Sequence, residues 1–383
     1  MAGIVASRAV RWTAYLSVAT ALLLLSGAGA AHAEPFQAPF AVSTGSAGST
    51  APPSVAVITG SNQMAVAWRR ADQHLVLRRV AADGSLGPVI DASIGGDLAE
   101  NLQPTVLSDS NGNPTVVWVR VDDDHIVASR IGTSDSAGSV IDISGAGGSA
   151  SYTGTAPAGI AANGKITAIW RRGNNSELML RTLDTDNSLG STLNVSGSPD
   201  AVLWGTSPAV ALDSAGNATA VWHRNTDCHI LRRRVATDGS MDATEDISGE
   251  PDSAVGGTSP AVASDQSGNA VIAWHRDTDH HALARQRLLN SSLGAITDIS
   301  GASDSPSDGG FGVATGPDGE TQIAWQRSSD NQIMEGALGP SGQVVPGVKV
   351  SGDSAGAAVT GPALAVDSQA GVGVAWTGAG DGN

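Results

Sequence analysis

Histidine and aspartate side chains gather in three short polar stretches of this sequence. Those stretches read Asp122-Asp123-Asp124-His125, Asp227-Cys228-His229 and Asp277-Thr278-Asp279-His280-His281. Imidazole and carboxylate groups ligate zinc or calcium when several of them converge on one point. No stretch has a His-x-x-x-His, Cys-x-x-Cys, EF-hand or calcium nonapeptide pattern, so we predict no metal ion and no cofactor. Weak calcium binding by the aspartate-rich loops is the alternative.

A catalytic centre is not evident in the pattern either. No nucleophile–base pair and no pair of carboxylates stands out at a useful spacing. We therefore predict that the protein has no catalytic residues and is not an enzyme. A hydrolase is the alternative class. Incubation of the pure, protease-free protein with substrates would distinguish a hydrolase from a protein without catalytic activity.

The glutamines are the remaining candidates for chemistry, because glutamine outnumbers lysine eleven to two. A transglutaminase attacks a glutamine carboxamide with its cysteine thiolate and passes the acyl group to an amine. The glutamine must enter a cleft, so it must lie on exposed, mobile backbone. By predicted position in turns and near the start of the mature chain, the reactive candidates are Gln37, Gln63, Gln343 and Gln332. The alternative is that all eleven are ordinary polar surface residues.

A repeat of 50 to 52 residues positions all these groups. Its anchor is a tryptophan, which recurs at Trp68, Trp118, Trp170, Trp222, Trp274, Trp325 and Trp376. A closing serine recurs in the same register at Ser43, Ser93, Ser144, Ser196, Ser248, Ser300 and Ser351. Self-similarity at such a period indicates a propeller or a solenoid.

Each repeat unit reads as four short antiparallel strands. A proline-opened strand of small residues is followed by a Gly-Asn turn, the tryptophan strand, an Arg-rich strand and a closing strand that ends in Asp-Ile-Ser. The sequence therefore predicts an all-β fold, a seven-bladed β-propeller with the anchors buried between blades. The last unit lacks its third and fourth strands, so we expect residues 38–44 to join that blade and close the ring.

An arginine follows the anchor by two residues in six units, at Arg70, Arg120, Arg172, Arg224, Arg276 and Arg327. We expect a structural role, in which each arginine binds a backbone carbonyl or an aspartate of the fourth strand. The candidate aspartates are Asp91, Asp142, Asp246 and Asp298. A functional ring of arginines is the alternative.

Composition and the N-terminus bound the class of protein. Residues 1–33 have a basic start, an apolar core and the Ala31-His32-Ala33 cleavage pattern of a secretory signal peptide. Residues 34–383 then form one domain, and we predict a secreted, extracellular protein that does not bind the membrane.

The net charge of −16 makes nucleic acid an unsuitable partner. A single cysteine, Cys228, excludes an internal disulfide framework. Trp204 lies outside the register, and we expect it to pack within its loop; an exposed contact point is the alternative.

The Glu34-Pro35-Phe36-Gln37-Ala38-Pro39 start and the seven tryptophan-centred units together resemble the dispase autolysis-inducing proteins, which are secreted by actinobacteria. The resemblance implies a seven-bladed propeller that binds a neutral, thermolysin-like metalloprotease (dispase) and induces its autolysis. It also implies a glutamine donor for transglutaminase, monomeric before cross-linking. We expect the protease to dock on the long connections between repeats, at 94–103, 145–156, 197–207 and 249–259. The alternative is a lectin-like propeller that binds glycans.

Overall fold

The computed structural model of the chain describes residues 12–17, 40–43, 51–61, 63–145, 158–160, 163–249, 252–256, 258–290, 292–301, 305–351 and 360–378. Among these residues, no helix is long and apolar enough to cross a membrane. The predicted signal peptide is described only at Trp12–Ser17, and Gln37 lies outside the described residues.

Six repeats each form an antiparallel four-stranded sheet in sequence order. The first sheet comprises β2 (Ser54–Ile58), β3 (Gln63–Arg69), β4 (Leu75–Ala81) and β5 (Leu86–Asp91). The second comprises β6 (Thr105–Ser108), β7 (Pro114–Val119), β8 (Ile126–Arg130) and β9 (Ile141–Asp142). The third comprises β10 (Ala158–Ile160), β11 (Ile166–Arg171), β12 (Leu178–Leu183) and β13 (Leu193–Asn194).

The remaining sheets continue the same order. The fourth comprises β14 (Ala209–Leu212), β15 (Ala218–His223), β16 (Ile230–Val235) and β17 (Glu245–Asp246). The fifth comprises β18 (Ala261–Ser264), β19 (Ala270–His275), β20 (Ala282–Arg287) and β21 (Leu293–Asp298). The sixth comprises β22 (Pro306–Thr315), β23 (Thr321–Arg327), β24 (Ile333–Leu338) and β25 (Val344–Lys349). A last, three-stranded sheet contains β26 (Ala363–Val366), β27 (Val372–Gly378) and β1 (Trp12–Ser17).

The sheets are arranged radially, with the first strand of each repeat innermost. Those inner strands contact one another in the order β2, β6, β10, β14, β18, β22 and β26, and β26 returns to β2. The prediction of an all-β propeller is therefore confirmed. The number of complete four-stranded blades is six and not seven, because the last repeat contributes only β26 and β27 to its sheet within the described residues.

Local chemistry explains why the strands turn where they do. The hairpin turns carry glycine at positive φ, as at Gly84 (φ 82) and Gly216 (φ 82), a conformation that a Cβ atom disfavours. The anchor strands are rich in β-branched and small apolar residues, which suit a sheet buried on both faces. All six residues of β15, for example, are buried.

The core consists of separate apolar clusters, each formed where two neighbouring sheets face each other. One cluster joins Leu180 and Val195 of the third repeat to Ala220 and Trp222 of the fourth. All seven anchor tryptophans are buried, with Trp170, Trp222, Trp325 and Trp376 fully inaccessible to solvent. The indole nitrogen of Trp222 also donates a hydrogen bond of 2.7 Å to the Asp200 carbonyl. The anchors therefore hold both the interface and the preceding connection.

The closing strand differs from the predicted one. We expected residues 38–44 to complete the last sheet, but Trp12–Ser17 pairs with β27 there, in parallel. β27 has an open edge beside it, and Trp12–Ser17 supplies the backbone partners for that edge. In the described part of the predicted strand, 40–43, Phe40 packs on the cluster that contains Trp376.

Residues 40–43 take the place of a fourth-strand end. The Val42 carbonyl accepts a hydrogen bond of 2.8 Å from Arg78 Nη1. In three other pairs of sheets, an equivalent arginine binds the carbonyl of the residue before the closing serine of the preceding repeat. These carbonyls belong to Ile143, Val195 and Ile247. Val42 therefore occupies the position that the end of the fourth strand holds in other repeats. The described pairing partners of β27 are β1 and β26.

A charged triad replaces apolar residues between the fourth and fifth sheets. Glu245 Oε2 lies 2.6 Å from Arg287 Nε and 3.2 Å from Arg232 Nη1. The side chains of the two arginines are 9% and 5% exposed, respectively. Burial lowers the pKa of Arg232, and the neighbouring Arg287 lowers it further. Two buried positive charges thus share one carboxylate.

His275 makes the fold sensitive to acid. It is completely buried, its ring contacts Phe311 edge-on at 4.5 Å, and neither ring nitrogen has a hydrogen-bond partner among the described residues. Desolvation lowers its pKa from 6.5 to about 4. The unfolded chain therefore binds a proton that the folded chain excludes, and stability falls as the pH drops from about 6.5 to about 4.

We expect His275→Gln to remove about 3 kcal/mol of this pH dependence, because a shift of one pKa unit corresponds to about 1.4 kcal/mol. Glutamine is a fitting replacement, since Gln326 occupies the equivalent buried position after the next anchor. Urea unfolding of both proteins at pH 7 and pH 4 measures the difference. Leu289→Ser, an exposed substitution that changes no titratable group, is the control and should leave the pH dependence as it is. An equal slope in His275→Gln and the parent protein would contradict the assignment.

Candidate functional site

One face of the ring carries both the connections between repeats and the loops that follow the anchor strands. We call it the connection face; it comprises the segments from each fourth strand to the next first strand and from each second strand to its third. On this face, the arginine two residues after an anchor binds the loop that follows the anchor strand. Arg120 donates from Nε to Asp123 Oδ1 at 3.0 Å and from Nη1 to Asp97 Oδ1 at 2.7 Å. The same double contact recurs around Arg224 and Arg276.

These arginines bind different aspartates from those we predicted. Their close partners lie in the adjacent loop and in the preceding connection, and the fourth-strand Asp142 and Asp246 lie 3.8 and 4.0 Å from Arg120 and Arg224. A guanidinium forms two parallel bonds with a loop carboxylate within reach, which the fourth strand cannot offer. The pairing with Arg276 lowers the pKa of Asp279 to about 2. The arginines therefore fasten the loops and have few donors left for a ligand.

The fourth-strand aspartates instead bind histidine. Asp91, Asp142, Asp246 and Asp298 each place Oδ2 2.5 to 2.6 Å from the Nδ1 atom of a loop histidine, respectively His74, His125, His229 and His281. In the first sheet, Ser93 Oγ lies 2.9 Å from Asp91 and 3.5 Å from the same Nδ1 atom of His74. A nucleophilic triad needs the serine at the opposite ring nitrogen. This group therefore braces the strand end and has no triad geometry.

The acidic loops do not converge on a metal position. No group of three histidine, cysteine, aspartate or glutamate side chains within the described ranges could hold an ion. Their carboxylates accept hydrogen bonds from arginine and from backbone amides, as Asp227 does from Arg224 and from the His229 amide. Cys228, between them, is half-buried, and desolvation raises the pKa of its thiol.

The centre of the ring opens on the connection face as a funnel of about 510 Å³. We call it the channel mouth; it is lined by first strands and the residues before them, including Asn101, Gln103, Ser207, Ser259 and Asp308. Hydrogen bonds between neighbouring repeats fix its wall. Ser207 N donates to Ser259 Oγ at 2.8 Å, and Gln103 Nε2 donates to the Pro53 carbonyl at 2.8 Å. Asn101 and Asp308 are exposed within this wall.

Trp204 stands three residues before Ser207, at the tip of a turn on the same face. The turn is closed by a hydrogen bond from Thr206 N to the Leu203 carbonyl, with Gly205 at positive φ. The Trp204 side chain is 66% exposed, so our expectation that it packs within its loop is wrong. The near-copy of this connection has Gly256 at the same place. The fold therefore does not need an aromatic ring there.

The predicted glutamines occupy four different environments. Gln343 is exposed directly after the turn at 339–342, and its carboxamide oxygen accepts a hydrogen bond from Ser341 Oγ. Gln332 is half-buried, and its carboxamide oxygen accepts from Ser351 Oγ. Gln63 is the first residue of β3 and pairs with Ile58 and Ala81, which corrects its predicted position in a turn. Of these four, Gln343 is the exposed candidate among the described residues, and Gln37 lies outside them. Gln266 and Gln369, which we did not predict as reactive, are exposed in turns.

The expected docking segments can be followed in part. Residues 94–103 and 197–207 are described throughout, 249–259 is described except at 250, 251 and 257, and 145–156 is described only at Gly145. The first of these contains a short 3-10 turn, Ile94–Gly96, with Ile94 47% exposed. The described parts of these segments lie on the connection face, and Asn101, Ser207 and Ser259 within them line the channel mouth.

No protein-family model and no curated protein matches this chain. Solved structures do resemble it. The BP39L lectin from Burkholderia pseudomallei superposes with a TM-score of 0.63 at 13% identity, covering 90% of this chain and 99% of the lectin. AofleA from Arthrobotrys oligospora gives 0.54 at 14% identity, covering 78% and 86%. The fucose-recognising, six-bladed lectin of Aleuria aurantia gives 0.51 at 15% identity, covering 77% and 95%. At these identities the likeness shows a β-propeller fold.

Proposed function

We propose that this protein is a lectin-like propeller that binds glycans at its channel mouth. The observation that carries the proposal is Trp204, a large exposed aromatic side chain on the connection face, three residues before Ser207 of the channel-mouth wall and at a position where the neighbouring repeat has glycine. The similarity to lectins of known structure supports the same class of function. This reading replaces protease binding as our first choice.

The chemistry of the channel mouth suits a sugar. A pyranose ring has an apolar face that packs on an indole ring, and its hydroxyl groups exchange hydrogen bonds with carboxylate and amide side chains. Asn101 and Asp308 present such groups in the wall, and both are exposed. A concave site with a few polar groups fixed by the scaffold is typical of small-ligand sites.

Replacing Trp204 tests this proposal. Trp204→Gly copies Gly256 of the next repeat, so we expect unfolding free energy to change by less than about 0.5 kcal/mol. Glycan affinity should fall at least about tenfold, because an exposed aromatic anchor contributes most of such a contact. A glycan array, with fucosylated glycans as the first probe, selects the ligand, and calorimetry measures both proteins. Leu289→Ser, an exposed apolar residue on the opposite face, is the control. Unchanged binding by Trp204→Gly would contradict the proposal.

A second candidate function, that of a glutamine donor for transglutaminase, is favoured by the exposure of Gln343. The enzyme thiolate displaces ammonia from the carboxamide, and an amine then takes the acyl group from the thioester. We expect a dansylated amine to be attached at Gln343, and much less at Gln332, because Gln343 is exposed and Gln332 is half-buried. Peptide mapping locates the label, and Gln343→Asn should remove it. Preferential labelling of Gln332 would contradict this ranking.

Protease binding stays a proposal that rests on the resemblance alone. A thermolysin-like protease would dock on the connection face, and binding a partly opened form would shift the protease population toward self-digestion. A pull-down with an active-site-dead protease tests the complex. Failure to form a complex would end this proposal without affecting glycan binding.

Export and ring closure complete the proposed picture. We infer that the chain is secreted after cleavage near Ala33, as its leader pattern predicts. The last sheet then serves as a seventh blade formed by β26 and β27, with residues 40–43 at its outer end. The bond between Arg78 and the Val42 carbonyl supports that arrangement. N-terminal sequencing of the protein from culture medium tests the cleavage.

A further inference from the structure

An arginine side chain fills the space between neighbouring sheets on the face opposite the connection face. Arg79 of the first sheet reaches into the second, donating from Nε to Asp135 Oδ1 at 2.8 Å. Its Nη1 and Nη2 atoms donate to the carbonyls of Gly112 and Gly132, at 3.2 and 3.4 Å. Three acceptors of the next sheet thus converge on one guanidinium.

The next pair of sheets repeats this contact. Arg130 of β8 donates from Nη1 to the Gly164 carbonyl at 3.3 Å and from Nη2 to the Asp184 carbonyl at 2.9 Å. Gly164 and Asp184 each follow Gly112 and Gly132 by one repeat, 52 residues. The carbonyl pair therefore accepts a guanidinium in these two interfaces, whereas Arg234, in the same register of the fourth sheet, donates to Asp213 Oδ2 at 3.1 Å instead.

Between the third and fourth sheets the arginine is replaced by Thr182. Thr182 pairs with Thr167 as Arg130 pairs with Thr115, so the two residues hold the same register. A threonine is too short to cross the interface, and a cavity of about 280 Å³ lies there. Gly216 and Ala236, one repeat after Gly164 and Asp184, line this cavity.

The Ala236 carbonyl in this cavity has the same backbone geometry as the carbonyls that bind arginine in the first two interfaces. The Ala236 carbonyl accepts a hydrogen bond from Gly239 N at 2.9 Å, as the Gly132 carbonyl accepts from Asp135 N at 3.1 Å. In the first two interfaces that carbonyl accepts a second hydrogen bond, from arginine. A carbonyl oxygen has two lone pairs, so the Ala236 carbonyl can also accept a second donor.

The remaining walls suit the stem and the charge of an arginine. Leu180, Leu193 and Val235 are apolar and match the methylene groups. Asp238 adds a carboxylate in the same turn that supplies Asp135 two repeats earlier. The positive charge of Lys165 is paired with Asp184 at 3.1 Å. The cavity opens to solvent between exposed residues, namely Asn163, Ser191, Ala215, Thr237 and Asp238.

We propose that this cavity, the Thr182 cavity, binds a guanidinium group, either as the arginine side chain of a peptide or as a free guanidino compound. The ligand takes the place that Arg79 and Arg130 hold in the preceding interfaces. A planar guanidinium presents donors in a fixed fork, which matches two carbonyls and a carboxylate. A lysine ammonium is a single point charge and matches them less well.

Calorimetry of the full chain with short peptides tests the proposal. We expect acetyl-Gly-Arg-Gly-amide to bind and the citrulline peptide, which lacks the charge, to bind at least about tenfold more weakly. Free guanidinium chloride at millimolar concentration distinguishes the sources. Equal saturation by the ion and the peptide indicates recognition of the group alone, and tighter binding of the peptide indicates recognition of a chain segment. Failure of both to bind overturns the proposal.

Two variants connect the binding to this cavity. Thr182→Arg supplies an internal guanidinium and should abolish peptide binding, with an unchanged circular dichroism spectrum as the check on folding. Asp238→Asn keeps the shape and should weaken the arginine peptide several-fold while leaving the citrulline peptide unaffected. His280→Gln, on the connection face, is the control and should bind like the parent protein. Equal binding by Thr182→Arg and the parent protein would show that the peptide binds elsewhere.

Discussion

Truncating Trp222 to alanine should destabilise the protein by about 3–5 kcal/mol, the usual cost of removing a large buried aromatic side chain. The indole is completely buried between the third and fourth sheets. Its removal also leaves the Asp200 carbonyl without the hydrogen bond that holds the preceding connection. The effect should appear in the free energy of unfolding measured with urea.

Trp204→Ala is the matched control for that experiment, since it removes the same side chain from an exposed position in the same repeat. We expect a change of less than about 0.5 kcal/mol. If both substitutions cost the same, the distinction between anchor and surface tryptophan would be wrong. The pair therefore measures the energy of the interface separately from that of the residue type.

The second large effect concerns the charged triad between the fourth and fifth sheets. Glu245→Gln should cost about 3–5 kcal/mol, because it leaves two buried arginines facing each other without a countercharge. The Glu245 carboxylate lies 2.6 Å from Arg287 Nε and 3.2 Å from Arg232 Nη1. Urea unfolding at pH 7 gives the difference.

The preceding interface provides the control for the triad. There the equivalent positions hold Leu180, Leu193 and Val235, which line the Thr182 cavity. The triple replacement Arg232→Leu, Glu245→Leu and Arg287→Val copies that arrangement. We expect it to be neutral or to stabilise by about 1–4 kcal/mol, because apolar side chains avoid the desolvation of three charges. A triple variant less stable than Glu245→Gln would contradict this account.

The repeat made the fold predictable. Seven tryptophans and seven serines in one register require equivalent units, and the turn glycines mark where each strand ends. Closure of the ring was predicted less well, because strand pairing depends on which edge is open. A short closing motif such as Phe40–Ser43 matches a fourth strand, but the motif does not specify its neighbour.

The site was harder to predict because it depends on which side chains lie within hydrogen-bonding distance and which are exposed. The arginine after each anchor was expected to bind the fourth strand, yet an aspartate three residues along the loop is closer, as Asp123 is to Arg120. The exposure of Trp204 follows from the shape of one turn, which its sequence does not show. The Thr182 cavity had a signal in the aligned repeats, where threonine stands in the register of Arg79 and Arg130.

The pairing of β1 with β27 joins residues that are made at opposite times during synthesis. Trp12 lies beside Gly373, so Trp12–Ser17 has no partner strand until the ribosome has produced the final repeat. On our prediction that these residues belong to a signal peptide, early translocation would meet an unpaired segment, whereas a finished chain presents the same segment already incorporated in the circle. The order of synthesis and capture would then decide whether Trp12–Ser17 is removed by cleavage or kept as a structural strand.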